Sequence, residues 1–500
     1  MVLTLSAACH VGGPDAGDLG TFPLWSGRHT QQPSAPAEAP DASVAARDAA
    51  AAMSDTPSDA GKTPDASSTT TTPRPKSAWL RLGYDLGATF NNTAETILSK
   101  QTAGALRLRF TWEVGQAVYG APLLVDDRLY YVDSAQVHAV DLSDGTVIWE
   151  ARPDLDATGA LASNSLSYDD GKLYLHTRGA AVIALDALDG KVIWHSMRDA
   201  ADRFDRGYSS PIVAGDFVLV GRAPAADSER SSGMLIAHDK RDGMARWSTV
   251  SGGGIWAAPS VSLDLGLVYV PTGPRPPWSN VVTANSLLAV ELIHGAQRFW
   301  LPLGSASEPA ANGGSGFEFG ASPIVFTVER QGVTRALVAA GTRTGKVHVV
   351  DASTGELVWL RELGRGSDDG DSGILANGAW SGKYLLFAMN EGTGRQNAAT
   401  LYALDGATGD QVWSRKLEGA DVLGRITVAN GVGFVGYGSE VMVFDTDTGD
   451  VITTISTEGP TAAGVASIAN GIVAFGTGAS YLAHDDADRG KLFVYEVPRP

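Results

Sequence analysis

The chain lacks residues that several structural classes require. It has a single cysteine, Cys9, so no intrachain disulfide can form, and no Cys-x-x-Cys-His sequence is present to attach a haem. No run approaches the roughly 18 apolar residues that span a membrane. Acidic residues outnumber basic ones, 56 to 38, and the net charge of -18 argues against nucleic-acid binding, which needs clustered cations.

The N-terminal part also has few large apolar side chains. Residues 10–76 are rich in Ala, Pro, Asp, Ser and Thr, and such a composition cannot bury a core. We therefore expect a flexible tether there, followed by a folded domain over residues 77–500.

Beyond the tether, one short phrase recurs: an apolar pair, an Asp, three residues, a Gly, three residues and a Trp. Successive acidic positions are 45, 53, 52, 60, 54 and 40 residues apart. That period fits one four-stranded propeller blade per repeat, with loops of varying length. The acidic residues are Asp141, Asp186, Asp239, Glu291, Asp351, Asp405 and Asp445.

The phrase predicts structural roles for its own residues. Gly supplies the positive φ of a tight turn, and the Asp carboxylate can accept backbone N–H groups across that turn. The Trp falls on the next strand, where a large ring can fill the gap between neighbouring blades. We therefore expect these residues to build the architecture and not to carry catalysis.

The number of phrases predicts an all-β, eight-bladed β-propeller of four-stranded blades, with seven blades as the alternative. Seven phrases are followed by a C-terminal remnant that ends in KLFVYEV without a Trp-bearing strand. The segment LRLRFTWEV, residues 106–114, has Trp112 in the corresponding position. This N-terminal strand can complete the last blade and close the ring, which removes exposed sheet edges.

Blades of this type resemble the repeats of propellers that bind pyrroloquinoline quinone (PQQ), and also those of the outer-membrane assembly lipoprotein BamB. The stretch from Trp79 to Trp112 is more specific, because it resembles the N-terminal segment of quinoprotein alcohol dehydrogenases of the polyvinyl-alcohol type. In that family a set of residues recurs in a fixed order. Here the set is Trp79, Gly83, Asp85, Asn91 or Asn92, Glu95 and Arg109–Trp112.

Three further stretches resemble the same family and imply site residues. GGGIWAAP places Trp256 where a Trp stacks under the PQQ ring, and the alternative is a channel-lining Trp that only packs. AGTRTGKVHVVD places Arg343 where a Lys contacts the quinone. GFEFGASPIVF places Glu318 in an acidic position, which implies a catalytic base, and the alternative is a solvated loop charge.

The resemblance also implies Ca²⁺ beside the quinone. Asp227 and Glu229, on the long loop of the third blade, are candidate ligands for it. The chain departs from the family at Pro274, where an Asn usually helps to hold Ca²⁺. Asn280 and Asn285 are nearby candidates to replace that ligand. The usual Trp-Asp pair after blade four is also absent, and without a haem, electrons would pass to an external acceptor.

The segment LTLSAAC resembles a bacterial lipoprotein signal, although it has no basic start and only a short apolar stretch. We expect residues 1–9 to be a truncated signal with Cys9 as the lipid-modified residue, and chance is the alternative. A lipid anchor, a tether and a propeller together predict a location in the periplasm or on the cell surface.

Two functions follow from the sequence. One is a PQQ-dependent alcohol dehydrogenase with a degenerate cofactor site, acting on a small alcohol or polyol. The other is a non-catalytic, BamB-like lipoprotein that binds a protein partner of the cell envelope. A fold alone does not choose between them.

Overall fold

The computed structural model describes the chain from Ser77 onwards, with gaps. The described residues are 77–114, 118, 120–133, 136–153, 165–196, 205–224, 232–274, 280–303, 321–366, 372–391, 398–419, 421–422, 424–457, 464, 466–478 and 490–498. They form eight sheets, and each sheet contains one antiparallel blade of four strands. The prediction of eight blades is therefore confirmed, and the alternative of seven is wrong.

The strands of each blade follow the chain from the innermost to the outermost. Blades 1 and 2 are Leu123–Val125, Arg128–Val132, Val137–Asp141 and Val147–Ala151, then Ser167–Asp169, Lys172–His176, Val182–Asp186 and Val192–His195. Blades 3 and 4 are Ile212–Ala214, Phe217–Pro224, Met234–Asp239 and Ala245–Val250, then Ser260–Ser262, Leu267–Pro271, Ser286–Glu291 and Gln297–Pro302.

The second half of the ring repeats this order. Blades 5 and 6 are Ile324–Arg330, Val333–Gly341, Lys346–Asp351 and Leu357–Glu362, then Ala379–Trp380, Tyr384–Asn390, Ala398–Asp405 and Gln411–Glu418. Blades 7 and 8 are Thr427–Ala429, Val432–Tyr437, Glu440–Asp445 and Val451–Ser456, then Ser467–Ala469, Ile472–Gly476, Gly490–Glu496 and, as the outer strand, Arg107–Val114. Two short strands lie beside blades 7 and 3, Asn91–Asn92 and Asp205–Arg206.

The strand order gives the propeller two different faces. All inner strands run the same way, so they begin at one face and end at the other. The face where they begin also has the connections between second and third strands and between successive blades, and we call it the loop face. The opposite face has the tight turns between first and second strands and between third and fourth strands, and we call it the hairpin face.

The recurring Asp and Gly build the turns of the hairpin face, as predicted. Asp141 Oδ1 accepts the Ser143 N–H at 2.7 Å, and Asp186 Oδ1 accepts the Leu188 N–H at 2.7 Å. Gly145 has a φ of 79°, in the left-handed region that glycine adopts without strain. These carboxylates are therefore used by the fold.

The recurring Trp joins six of the eight blades to the next one. Trp149 Nε1 donates to the Ala187 carbonyl of the following blade at 3.2 Å, and Trp359 Nε1 donates to the Gly406 carbonyl at 3.0 Å. Equivalent bonds start from Trp112, Trp194, Trp247 and Trp413. Phe299 occupies the Trp position in blade 4 and packs over the turn glycine of blade 5 without such a bond.

Apolar faces of neighbouring blades form the rest of each interface. Between blades 2 and 3, Tyr174 and Trp194 pack against Val218 and Val220 in one buried cluster. Full burial of each aliphatic side chain is worth about 1.5–3 kcal/mol. Repeated around the ring, these layers hold the blades together.

The last blade is completed by the N-terminal strand, as predicted. Arg107–Val114 pairs antiparallel with Gly490–Glu496, and Arg107 forms an ion pair with Glu496 at 2.7 Å. In the described ranges the only helix is the three-residue 3₁₀ turn Ala103–Ala105, and no helix there has the length and apolarity of a membrane span.

Candidate functional site

Trp256 lies on the loop face, four residues before the inner strand of blade 4. Its side chain is half-buried. The connection that carries it is fixed where the Ile255 N–H donates to the Arg222 carbonyl of blade 3 at 3.1 Å. The indole therefore lies at the loop-face end of the inner strands, where the sequence predicts a stacking platform.

Two glycines form a cradle for the Trp256 indole. A Cβ on Gly273 would lie 2.6 Å from Cη2 of the ring, and a Cβ on Gly254 would lie 2.8 Å from the same atom. The two glycines are also linked, since the Gly273 N–H donates to the Gly254 carbonyl at 2.8 Å. The backbone thus packs directly against the six-membered edge of the indole and leaves it no room to shift that way.

Arg343 lies on the same face, in the turn that follows the second strand of blade 5. The Ile374 N–H donates to the neighbouring Thr342 carbonyl at 3.2 Å, which ties this turn to the segment before blade 6. A Cβ on Gly366 or on Gly373 would collide with the Arg343 carbonyl. The structure therefore places Trp256 and Arg343 on one face, in blades 4 and 5.

Buried polar groups occupy the corresponding end of the inner strands in blades 5 to 7. Ser322 and Asn377 are 5% and 2% exposed, and within the described residues Ser322 Oγ and Asn377 Nδ2 make no hydrogen bond. Arg425 Nε donates to Asn377 Oδ1 at 3.1 Å. Unsatisfied buried donors are costly, so a ligand with acceptor oxygens would fit them.

A further buried polar residue, Asn285, lies beside Pro274 and has an acceptor atom without a described partner. Asn285 is 4% exposed, and its Oδ1 has no hydrogen-bond partner in the part of the chain that the structure describes. Its N–H donates to the Gly273 carbonyl at 2.9 Å, so it is adjacent to the Trp256 cradle. Of the two asparagines considered as replacements at Pro274, Asn285 thus has a carbonyl oxygen without a described partner, in the same loop-face connection as Pro274.

Among the described residues, the donor set fits the quinone better than it fits a metal ion. An aromatic platform and buried N–H and O–H donors suit a flat molecule with carbonyl and carboxylate oxygens. Ca²⁺ requires six or more oxygen ligands. No group of three or more His, Cys, Asp or Glu lies together within the described ranges.

Four predicted site residues lie outside the described residues. They are Glu318, Asp227, Glu229 and Cys9, and their roles stay predictions. Sequence reasoning missed Ser322, Asn377 and Arg425, although each lies just before an inner strand. The order of the repeats could have located the position just before each inner strand. That a polar side chain there is buried without a hydrogen-bond partner becomes visible only in the assembled blades.

The eight-bladed fold and its repeats define a quinoprotein-like β-propeller. The chain belongs to the PQQ-repeat family whose profile is described as outer membrane protein assembly factor BamB, and the profile matches residues 89–269 and 343–496. A polyvinylalcohol dehydrogenase of a Pseudomonas species is 24% identical over 357 residues, which cover 62% of this chain. The matched region is 55% of that enzyme, so the chain spans about half the length of this relative.

Solved structures support the same architecture. The quinohemoprotein alcohol dehydrogenase of Comamonas testosteroni superposes with a TM-score of 0.68 at 16% identity, over 86% of this chain and 83% of that one. BamB of Moraxella catarrhalis gives 0.55 at 15% identity, over 78% and 99%. At these identities the likeness shows the fold alone. The Comamonas enzyme is named a quinohemoprotein, and the absence of haem from this chain stays a prediction.

Proposed function

We propose that the chain is a PQQ-dependent alcohol dehydrogenase whose cofactor site departs from the family pattern. The observation that supports it most is the Trp256 indole, held in its glycine cradle on the same face as the buried donors Ser322 and Asn377. The named activities of relatives such as the polyvinylalcohol dehydrogenase point the same way. The substrate class is a small alcohol or polyol, and electrons leave to an external acceptor.

In this proposal PQQ supplies, when bound, a quinone that accepts hydride from the alcohol carbon. Trp256 supports one face of the ring system, and Arg343 holds an oxygen at its edge. Glu318 accepts the hydroxyl proton of the alcohol. Asp227 and Glu229 would hold Ca²⁺ near the quinone oxygens.

The first test is a titration of the purified protein with PQQ in the presence of Ca²⁺. We expect a bound-quinone absorbance and oxidation of simple alcohols linked to a dye. Trp256→Ala should weaken PQQ binding by about tenfold, the order of one aromatic stack together with its buried area. Trp300→Ala is the matched control, because Trp300 is an exposed indole on the outer strand of blade 4.

The outcomes separate the parts of the proposal. An absence of quinone binding at high micromolar PQQ would refute the enzyme function. Binding that Trp256→Ala and Trp300→Ala leave equally unchanged would refute the stacking role, while the enzyme class would survive.

The second candidate is a non-catalytic propeller that binds a protein partner of the cell envelope. The BamB description of the matching family profile supports it. In this case the loop face binds a polypeptide, and added PQQ does not change that binding. Either function suits a periplasmic or cell-surface location, with lipid modification of Cys9 as the anchor, and radiolabelled fatty-acid incorporation that depends on Cys9 would test the anchor.

A further inference from the structure

The N-terminal segment of the described chain follows the inner strands around the ring. Trp79 pairs with Leu124, on the inner strand of blade 1, through two backbone hydrogen bonds of 2.8 and 3.0 Å. The next residue, Leu80, accepts the N–H of Tyr168 from the inner strand of blade 2 at 2.8 Å. The segment thus passes from blade 1 to blade 2 within one residue.

The same progression continues on the far side of the ring. Leu86 accepts the N–H of Val261 from blade 4 at 2.7 Å, and Gly87 accepts the N–H of Val325 from blade 5 at 2.8 Å. The Thr89 and Phe90 carbonyls then accept N–H groups from the inner strands of blades 6 and 7, and Asn92 Nδ2 donates to an inner-strand carbonyl of blade 8. Seven of the eight blades therefore bind residues 79–92, which we call the floor.

The sequence of the floor is adapted to this position. A Cβ on Gly87 would lie 2.6 Å from the Val325 carbonyl oxygen, so only glycine allows that approach. Asp85 closes the turn that contains Gly87, because its carboxylate accepts the Thr89 N–H at 2.9 Å and the Thr89 hydroxyl at 2.6 Å. Burial raises the pKa of the Asp85 carboxyl.

The floor is fixed at the hairpin face where it leaves the ring. Glu95 Oε1 accepts three successive backbone N–H groups, those of residues 96–98, and Glu95 Oε2 accepts the N–H of Gly471 at 3.1 Å. Gly471 belongs to the turn between the first two strands of blade 8. Ser77 is bound to Asn470 of the same turn at 3.0 Å. Both ends of the floor therefore lie at the hairpin face, opposite Trp256.

We propose that residues 79–92 seal the channel at the hairpin face, so that a ligand reaches the site of Trp256 only from the loop face. The channel is then a cup with one open end. Ser77, the first described residue, is bound at the hairpin face, on the sealed side. The statement about access to the quinone rests on the proposed function, and the seal itself does not.

Hydrogen exchange tests the seal without any ligand. The inner-strand N–H groups bound by the floor, such as those of Val261 and Val325, should exchange slowly in the full-length chain. Gly87→Ala should speed exchange at these two amides by about tenfold or more, while amides of blade 1 stay protected. Gly104→Ala, whose new Cβ would meet only Ile452 at 3.8 Å, should change neither. Fast exchange of these amides in the unmodified chain would overturn the seal.

Blocking each end of the channel tests access. In a Cys9→Ser background, Asn280→Cys adds a thiol on the loop face and Ala94→Cys adds one at the hairpin face, and both native residues are exposed. After coupling to a long polyethylene-glycol maleimide, the loop-face label should slow PQQ association by about tenfold, and the other label should change it by less than about twofold.

The failures can be told apart. Equal slowing by both labels would overturn the one-ended cup even though PQQ binds. If PQQ does not bind at all, the proposed function fails, and the exchange measurement still decides whether the floor is sealed.

Discussion

Replacing Gly273 with alanine should disturb the Trp256 cradle more than its single methyl group suggests. The new Cβ would lie 2.6 Å from Cη2 of the indole and closer still to Cζ3. Carbon atoms pack at about 3.5–4.0 Å, so the ring must move by about 1 Å or more. Overpacking of this kind costs about 1–3 kcal/mol. The backbone offers little relief, because the Gly273 N–H is bound to the Gly254 carbonyl at 2.8 Å.

Urea unfolding and near-UV circular dichroism measure this effect directly. We expect a lower unfolding midpoint for Gly273→Ala and a changed aromatic signal from the displaced indole. Gly104→Ala is the matched control, because its Cβ would have only an ordinary contact at 3.8 Å, and it should stay within about 0.5 kcal/mol of the parent. If both variants unfold at the same urea concentration with the same aromatic spectrum, the cradle does not hold Trp256.

Two more predictions concern the blades. Trp359→Phe removes the 3.0 Å bond to the Gly406 carbonyl and should cost about 1–2 kcal/mol in urea unfolding; a cost below that of an exposed-residue control would contradict the role of the indole N–H. Burial lowers the pKa of His176 to about 3, and those of His238 and His348 to about 4. The folded state then binds fewer protons than the unfolded one below pH about 6.5, so stability should be full above that pH and fall towards pH 4 by about 1.4 kcal/mol per unit for each histidine. An unfolding midpoint that is equal at pH 7 and pH 5 would argue against this.

The architecture could be predicted from the sequence because it repeats. Each Asp-Gly-Trp phrase encodes local turn chemistry and one ring contact, so Asp141 and Trp149 have roles that a single copy already indicates. Trp112 indicated that its strand closes the ring, because it occupies the Trp position of the repeat although it lies far from the C-terminal blade in sequence. The count of blades follows from such local signals without any long-range information.

The candidate site was harder to predict, because its parts come from different blades. Trp256 and Arg343 were found through family resemblance, whereas Ser322 and Asn377 were not. Nothing in the local sequence distinguishes a buried donor without a partner from an ordinary strand-start residue. That distinction depends on how closely blades 5, 6 and 7 approach, which is a property of the closed ring.

The floor has a consequence for how the chain reaches its native state. Ser77 binds Asn470, 393 residues away, and Arg107 binds Glu496, 389 residues away. The contacts that fix the two ends of the floor and pair the closing strand therefore form only after the last blade has been made. Contacts of such large sequence separation slow folding, because loop closure must precede the interactions that stabilise it. Until then the edge of blade 8 has no partner strand, so completion of the ring should be the slow and aggregation-sensitive step of folding.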